Sequence, residues 1–310
     1  MSWFGNKRFF GIDIGASAIK LIEIKKTREG YRIVRGKLVE LDIDPLFDNS
    51  EKQRAITKDK LKKLLIEERI NSGNAALSIS GQSVFIRSLK VPKVAKSKIE
   101  RIVQYEAQLQ VPFPINEVIW GYELFEIPDN PETEISLVAV KNNIVQERID
   151  LLAGTGLCVD FIEVNPFAFF NAVNFSGEAK GKIIIDIGAK FTDIIITEEH
   201  KIWTRSVLIG GNNMTKAVAA ALNISFKEAE EIKRKEGMAV LDEADKTSAS
   251  ASRAGVISNA INQVLVELLA DISKSMGYYK SQFGENKIFK EILITGGCSR
   301  LKNIDRYIAE

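Results

Sequence analysis

The stretch Gly11-Ile12-Asp13-Ile14-Gly15-Ala16-Ser17 places an aspartate at the end of a short apolar run and a glycine two positions later. The pattern returns as Asp186-Ile187-Gly188-Ala189-Lys190-Phe191-Thr192-Asp193. Each copy is flanked by apolar stretches typical of β-strands. Because Asp13 and Asp186 are separated by more than half of the chain, we interpret them as an internal duplication of one strand-turn-strand unit, with one copy in each of two lobes.

The first turn has the composition of a phosphate-binding loop. Its small residues Gly15, Ala16 and Ser17 allow backbone N–H groups to approach phosphate oxygens. Asp13 at the strand end can hold a hydrated Mg²⁺, because this ion prefers one or two carboxylates together with water and phosphate. Lys20 can neutralise phosphate charge. Taken by itself, the same pattern also fits an ordinary β-hairpin.

The second turn predicts the opposing half of the same site. Asp186 repeats the carboxylate, which we expect to hold Mg²⁺ through water, and the residues Gly188, Ala189, Lys190 and Thr192 follow it. Two such turns facing each other would enclose the β- and γ-phosphates of ATP.

Two glycine pairs complete the predicted nucleotide site. Gly210-Gly211 precedes a helical stretch, and Gly296-Gly297 lies between an apolar strand and a short helix that begins near Ser299 and Arg300. Bare backbone at the second pair can lie against the flat adenine and its ribose. A plain turn is the alternative for that pair alone.

Glu230 and Lys233 are three positions apart on a predicted helix and therefore share one face. They are candidates to bracket the ribose hydroxyls, and a surface ion pair is the alternative. The helix that carries them is predicted to begin at the capping box Ser225-Phe226-Lys227-Glu228 and to end at Gly237.

Two further patterns predict elements outside the turns. Residues 75–91 are interpreted as a hairpin that turns at Ser80-Gly81-Gln82. A long helix near the C-terminus carries an apolar stripe that predicts burial. The stripe consists of Ile257, Ile261, Val264, Leu265, Leu268, Ile272, Met276 and Tyr279.

Composition excludes several classes of function. The 43 basic and 41 acidic residues nearly cancel, so no global field favours nucleic acid. Cys158 and Cys298 are far apart and His200 is the sole histidine, which argues against a zinc site and a Ser-His-Asp triad. Without a signal peptide pattern or a long uninterrupted apolar run, we expect a soluble, cytoplasmic protein.

The three turns occur in the order of the phosphate-1, phosphate-2 and adenosine motifs, and the chain thereby resembles the superfamily of actin, heat-shock chaperones and FtsA. Within it, Tyr105-Glu106-Ala107-Gln108-Leu109-Gln110-Val111-Pro112-Phe113-Pro114-Ile115-Asn116-Glu117-Val118 is similar to the signature of the PilM family of type IV pilus assembly proteins. The resemblance implies an α/β, actin-like ATPase fold with two lobes, each a mixed sheet flanked by helices.

The resemblance also implies an FtsA-like division into subdomains. Residues 1–180 would form lobe 1, with subdomain 1A and an inserted subdomain 1C at about 75–160. Residues 181–310 would form lobe 2, with subdomain 2A and a subdomain 2B at about 212–255, before the chain returns toward 1A. Related chains continue beyond the third turn, so we expect the closing part of 1A to be truncated.

Partners and catalysis are implied in the same way. A chain of this family is expected to act as a cytoplasmic, ATP- and Mg²⁺-binding scaffold at the inner face of the membrane. It would bind the N-terminal tail of a PilN-like bitopic membrane protein between 1A and 1C, together with other pilus assembly proteins, and would meet the membrane only through that partner. Filament-forming relatives place a glutamate or glutamine where this chain has Asn165, just before Pro166. Since the shorter side chain reaches less far toward an attacking water, we expect slow or absent hydrolysis.

Two alternatives from the same superfamily stay open. A sugar kinase-like phosphotransferase shares the turns but needs a catalytic carboxylate beside a sugar pocket, which is not evident in the sequence. An FtsA-like filament protein needs a C-terminal amphipathic helix, and residues 301–310 are too short and too mixed in charge for one.

Overall fold

The computed structural model describes residues 8–45, 50–94, 96–126, 131–177, 180–198, 202–241, 252–284 and 288–309. The chain divides into two compact units. Unit 1 comprises Met1–Leu41 and Asn49–Asn171, and unit 2 comprises Asp42–Asp48 and Ala172–Glu310.

Unit 1 contains two β-sheets. Its strands are β1 (Phe9–Ile14), β2 (Ala18–Thr27), β3 (Gly30–Glu40), β4 (Gly73–Ile79), β5 (Val84–Pro92), β6 (Val118–Glu126), β7 (Glu132–Lys141) and β8 (Leu157–Val164). The five-stranded sheet has the order β3-β2-β1-β4-β8, with β4 parallel to both of its neighbours. The three-stranded sheet has the order β5-β7-β6 and is antiparallel throughout.

The described residues of unit 1 also form the helices α1 (Ser50–Glu67), α2 (Lys96–Gln110) and α3 (Asn142–Leu152), and α4 (Asn165–Ser176) begins in this unit. The three-stranded sheet packs against α2, and Val103 and Ala107 of this helix are fully buried with Ile135 and Leu137 of β7. Burying such side chains contributes about 1.5–3 kcal/mol each for the larger aliphatic ones, so this sheet and α2 share one core.

The hairpin expected for residues 75–91 is not formed, and that prediction was wrong. β4 lies in the five-stranded sheet between β1 and β8, whereas β5 pairs with β7 in the other sheet. A short 3-10 turn, Gly81–Ser83, connects β4 to β5. Both edges of β4 are already hydrogen-bonded to parallel neighbours, so no edge is left for β5.

Unit 2 is built on one four-stranded sheet and its helices. The strands are β9 (Lys182–Ile187), β10 (Thr192–Thr197), β11 (Ile202–Val207) and β12 (Glu291–Thr295), in the order β11-β10-β9-β12. In the part of unit 2 that the structure describes, the helices are α5 (Gly211–Leu222), α6 (Phe226–Glu236), α7 (Arg253–Phe283) and α8 (Ile304–Ala309). One face of the sheet packs on these helices in a single apolar core.

The two larger sheets repeat one topology. In each, three consecutive strands form an antiparallel meander, β1-β2-β3 or β9-β10-β11. In each, a later strand, β4 or β12, then lies parallel to the first strand of that meander. This repetition confirms the interpretation of Asp13 and Asp186 as parts of a duplicated unit, and the architecture is the predicted mixed α/β fold.

The long helix α7 is the centre of the core of unit 2. Its predicted stripe is confirmed, because Ile257, Ile261, Leu265 and Leu268 are at most 1% exposed. By length and a mean hydropathy of 1.2 the helix also meets the criteria for a membrane span, but 56% of that window is buried within the protein. Core packing explains its apolar character.

The capping box of α6 is formed as predicted. The Ser225 hydroxyl accepts a hydrogen bond from the Glu228 amide at 3.3 Å, and the Glu228 carboxylate accepts one from the Ser225 amide at 3.0 Å. The helix ends at Gly237, whose amide donates to the Lys233 carbonyl. Caps of this kind are worth about 1 kcal/mol, and here they fix where Glu230 and Lys233 lie.

Candidate functional site

The first glycine turn connects β1 to β2 in unit 1. Asp13 pairs with Lys20 across this antiparallel hairpin, and the Gly15 amide closes the turn on the Ala18 carbonyl at 3.0 Å. Gly15, Ala16 and Ser17 are exposed. A Cβ at Gly15 would lie 3.3 Å from the Ala18 carbonyl oxygen, so the turn is tight.

The Asp13 carboxylate is held from two sides. Its Oδ2 lies 3.0 Å from the Lys20 ammonium, and its Oδ1 accepts a 2.6 Å hydrogen bond from the Ser78 hydroxyl on β4. Because β1 and β4 are parallel, Asp13 and Ser78 lie at the carboxyl ends of adjacent strands, which is the usual position of ligand sites in such sheets.

A third group comes from α3. The Arg148 guanidinium donates to the Ile14 carbonyl at 3.2 Å, one residue beyond Asp13. Burial lowers the pKa of Arg148, and the negative charge of Asp13 partly opposes that shift. The first turn therefore carries two cationic side chains beside one carboxylate, a composition suited to an anion.

Asn165 lies at the same edge of this sheet. It begins α4 directly after β8, whose Glu163 is in register with Ser78 of β4. Asn165 is partly buried and the following Pro166 is buried. The carboxyl ends of β1, β4 and β8 thus present Asp13, Ser78 and Asn165 along one edge.

The second glycine turn connects β9 to β10 in unit 2. Gly188 closes it through a 2.9 Å hydrogen bond from its amide to the Phe191 carbonyl. The Thr192 hydroxyl, fully buried, donates to the Ile209 carbonyl at 2.7 Å. Lys190 is exposed, with its ammonium 5.9 Å from the centre of the Phe191 ring.

Gly210 and Gly211 pack directly on the second turn. The amide of Gly211 donates to the Gly188 carbonyl at 2.9 Å, and that of Asn212 to the Ala189 carbonyl at 2.8 Å. A Cβ at Gly210 would lie 2.8 Å from both of those carbonyl oxygens, closer than real Cβ atoms approach. The start of α5 therefore requires glycine to approach the second turn.

The third glycine pair packs on the same turn. Gly296 follows β12 with a φ of 88°, and a Cβ there would collide with the Ile187 carbonyl oxygen and with Asp186 Oδ1. Gly297 has open space around its Cα. Ser299 closes the following 3-10 turn by donating to the Gly296 carbonyl at 2.8 Å, and Arg300 is exposed at its end.

Glu230 and Lys233 belong to one network of hydrogen bonds, in which Lys233 is the buried member. Lys233 is 8% exposed, and its ammonium donates to the Gly211 carbonyl at 3.1 Å, to Thr215 at 2.7 Å and to Glu230 at 2.7 Å. Arg234 donates to the other Glu230 oxygen at 2.8 Å. The alternative of a surface ion pair is therefore wrong for Lys233, because α6 turns this side chain toward the start of α5.

Burial affects the pKa of Glu230 and of Cys298, with opposite net results. Burial by itself would raise the pKa of Glu230, but the charge of Lys233 and the hydrogen bonds from Lys233, Thr215 and Arg234 hold it below its ordinary value. Burial raises the pKa of the Cys298 thiol, whose sulfur occupies the space that a Cβ at Gly211 would need. Cys298 thus packs beside the Gly210-Gly211 pair as an inert apolar group.

The residues of each turn, taken separately, fit a phosphate group with Mg²⁺. Within the described part of the chain, the exposed amides of Ala16 and Ser17 and those of Ala189 and Lys190 make no hydrogen bond. Two successive free amides in a turn form an anion-binding concavity. No group of three or more His, Cys, Asp or Glu side chains suited to a metal occurs among the described residues. Mg²⁺ needs fewer, since it retains most of its waters.

Sequence patterns missed three residues of this geometry: Ser78, Arg148 and Thr215. Ser78 lies between the buried Leu77 and Ile79, so its position on the opposite face of β4 could be predicted from the sequence. Its contact with Asp13 could not. Arg148 is one of several charged residues on α3, and Thr215 is one small residue among alanines. Neither has a local signal that distinguishes it.

Each of the two larger sheets has a three-strand meander, a glycine turn between the first two strands of that meander, and a fourth strand parallel to the first. These features define the class: this is a protein of the actin-like ATPase fold. Solved structures agree. The chain is similar to a PilM-PilN type IV pilus biogenesis complex (TM-score 0.77, 24% identity, 97% of this chain and 85% of that chain). It is also similar to the ethanolamine utilization protein EutJ from Carboxydothermus hydrogenoformans (TM-score 0.58, 16% identity, 100% and 84%).

The family follows from the sequence comparison. The family model for "Type IV pilus assembly protein PilM" matches residues 11–310, and the chain belongs to this family. Among curated proteins, the cell division protein FtsA of Bacillus subtilis (strain 168) is 23% identical over 88% of this chain and 71% of its own length. FtsA is thus a distant relative, consistent with the shared fold.

Proposed function

We propose that this protein is an ATP- and Mg²⁺-binding scaffold of the type IV pilus assembly machinery, with slow or absent ATP hydrolysis. The observation that carries the proposal is the duplicated turn. The same strand topology occurs twice, and each time the first strand is followed by a turn with an aspartate, a glycine and backbone amides that make no hydrogen bond. A chain that needed only a hairpin would not require this arrangement in both units.

In this proposal Asp13 and Asp186 hold Mg²⁺ through water, and Lys20 and the turn amides bind the phosphates. The metal would neutralise phosphate charge. Gly296, Gly297 and the Glu230–Lys233 face would serve the adenosine. Lys233 is already committed to three acceptors, so Glu230, with 25% of its side chain exposed, is the better placed of the two to meet a ribose hydroxyl.

The partner we propose is the N-terminal cytoplasmic tail of a PilN-like membrane protein. Support comes from family membership and from the similarity to a PilM-PilN complex over 97% of this chain. We assign the five-stranded sheet of unit 1 to subdomain 1A and the three-stranded sheet with α2 to subdomain 1C, between which the tail would lie. The protein would then act in the cytoplasm and reach the membrane's inner face through this partner.

Calorimetric titration of Mg²⁺ and ATP tests the nucleotide part. Wild type is expected to bind ATP, and Asp13→Asn to bind it at least about tenfold more weakly, because a charge-assisted contact is lost. Asp160→Asn is the matched control. It removes a carboxylate from β8 of the same sheet, near the opposite end of the parallel strands, where Asp160 bonds Asn74.

Measurements of phosphate release and of tail binding test the proposed slow hydrolysis and the proposed partner. We expect turnover below about 1 s⁻¹, the lower end for typical enzymes. A synthetic PilN-like tail should bind wild type with an affinity that changes on adding Mg²⁺ and ATP. Rapid turnover dependent on an added sugar would contradict the scaffold and indicate a phosphotransferase instead.

A further inference from the structure

We propose that Arg148 is a positioning residue that couples the first glycine turn to the three-stranded sheet of unit 1, so that nucleotide at the turn alters the sheet. The inference rests on the proposed function, because it assumes that nucleotide binds beside Asp13. It assigns a role to a residue that no sequence pattern identified.

One end of the coupling is the contact with the turn. Arg148 donates to the Ile14 carbonyl at 3.2 Å, and Ile14 immediately precedes Gly15. The Arg148 side chain is partly buried, and the carboxylates of Asp13 and Glu147 are the negative charges that act on it. A desolvated cation responds strongly to any change in neighbouring charge.

The other end is the covalent path into the sheet. β7 ends at Lys141 and α3 begins at Asn142, with no intervening loop. β7 is the central strand and pairs with β5 and β6 along their lengths. The Asn142 side chain also donates to the Asn116 carbonyl at 3.2 Å, in the turn before β6. A shift of α3 is therefore passed to all three strands.

Nucleotide binding changes the charges that Arg148 meets. Without nucleotide, Asp13 and the Ile14 carbonyl attract the guanidinium. With nucleotide, Mg²⁺ near Asp13 would cancel that carboxylate's charge while phosphate oxygens offer a stronger acceptor. The preferred position of Arg148 differs between the two states, which is the differential interaction that a coupled conformational change requires.

Hydrogen exchange tests the inference with the whole chain and a non-hydrolysable ATP analogue with Mg²⁺. In wild type, saturating analogue should change protection of β6, β7 and α3 amides by about fivefold or more, the lower range of measured couplings. In Arg148→Gln, saturating analogue should leave the protection of β6 and β7 almost unchanged, while it still changes the protection of the first turn. Arg148→Lys, which keeps the charge without the planar fork, should retain part of the change and covers the case in which Arg148→Gln fails to fold.

The matched control is Asp150→Asn. Asp150 lies on the same helix and makes a 3.0 Å ion pair with Arg54 of α1, with both side chains over 40% exposed. Its loss should leave the coupling intact. Full coupling in both Arg148 variants, or equal loss in Asp150→Asn, would overturn the inference. If wild type binds no nucleotide by calorimetry, the proposed function fails and this inference fails with it.

Discussion

The Ser78 hydroxyl donates a 2.6 Å hydrogen bond to Asp13 Oδ1, although the two residues are 65 positions apart in the chain. The bond joins the ends of the parallel strands β1 and β4 and fixes the position of the partly exposed carboxylate. Lys20 occupies the other oxygen at 3.0 Å. The candidate metal-holding residue is thus fixed by a neighbouring strand as much as by its own turn.

Replacing Ser78 tests this orientation. Ser78→Ala should weaken binding of Mg²⁺ and ATP by about tenfold, because a hydrogen bond to a charged group is worth about 1.5–3 kcal/mol and only part of that is needed for orientation. Calorimetric titration measures the change. Ser88→Ala on β5 is the control and should leave the affinity unchanged; equal effects of both substitutions would contradict the role of Ser78.

Alanine substitution should reduce the free energy of unfolding by very different amounts at the two adjacent glycines of the third turn. Gly296 has φ 88° and ψ 173°, a region that is accessible essentially only to glycine, and its Cβ would collide with backbone. At Gly297, a Cβ would meet no other atom within 4 Å. Gly296→Ala is expected to cost at least about 2 kcal/mol in the free energy of unfolding by urea, and Gly297→Ala less than about 1 kcal/mol. Equal costs at the two positions would contradict this difference.

Removing one partner of the Glu230–Lys233 ion pair on α6 should lower the stability of the protein. Glu230→Gln leaves the Lys233 ammonium, 8% exposed, without its counter-charge and should lower the free energy of unfolding by about 2–3 kcal/mol. Adding Lys233→Met should restore part of the loss. Asp271→Asn, which breaks the exposed pair with Lys274, should cost less than about 1 kcal/mol. Additive costs for the two α6 substitutions would contradict a coupled buried pair.

Asp193 should give stability a specific pH dependence. Burial raises the pKa of Asp193, and a hydrogen bond from Ser206 only partly opposes the shift. As pH rises from about 4, the unfolded chain releases this proton first, so the folded state loses stability until its own raised pKa is passed. Asp193→Asn imitates the protonated form, and its stability relative to wild type should therefore increase with pH over that range. A difference that does not vary with pH in thermal unfolding would contradict the assignment.

Asn165 should limit hydrolysis. Asn165→Gln lengthens the side chain that begins α4 and should raise the rate of phosphate release by about tenfold or more, because positioning an attacking water is worth at least that much. The control is Asn171→Gln, an exposed position on the same helix. An unchanged rate in Asn165→Gln would indicate that another residue sets the turnover.

Much of unit 2 was predictable from its sequence. The capping box at Ser225, the end of α6 at Gly237 and the buried stripe of α7 all follow from periodicity and from the backbone requirements of single residues. The duplicated turns were predictable for the same reason, since a glycine and an aspartate at a strand end carry their own geometry.

The pairing of strands and the partners of charged groups were decided only in the tertiary structure. Residues 75–91 contain the signal of a hairpin, yet β4 lies between β1 and β8, because a strand takes whichever edges the whole sheet leaves free. Ser78 beside Asp13, Arg148 beside Ile14 and the burial of Lys233 follow from that assembly. Sequence by itself determined the turns and the helices, whose interactions are local; long-range contacts depend on how distant elements pack together.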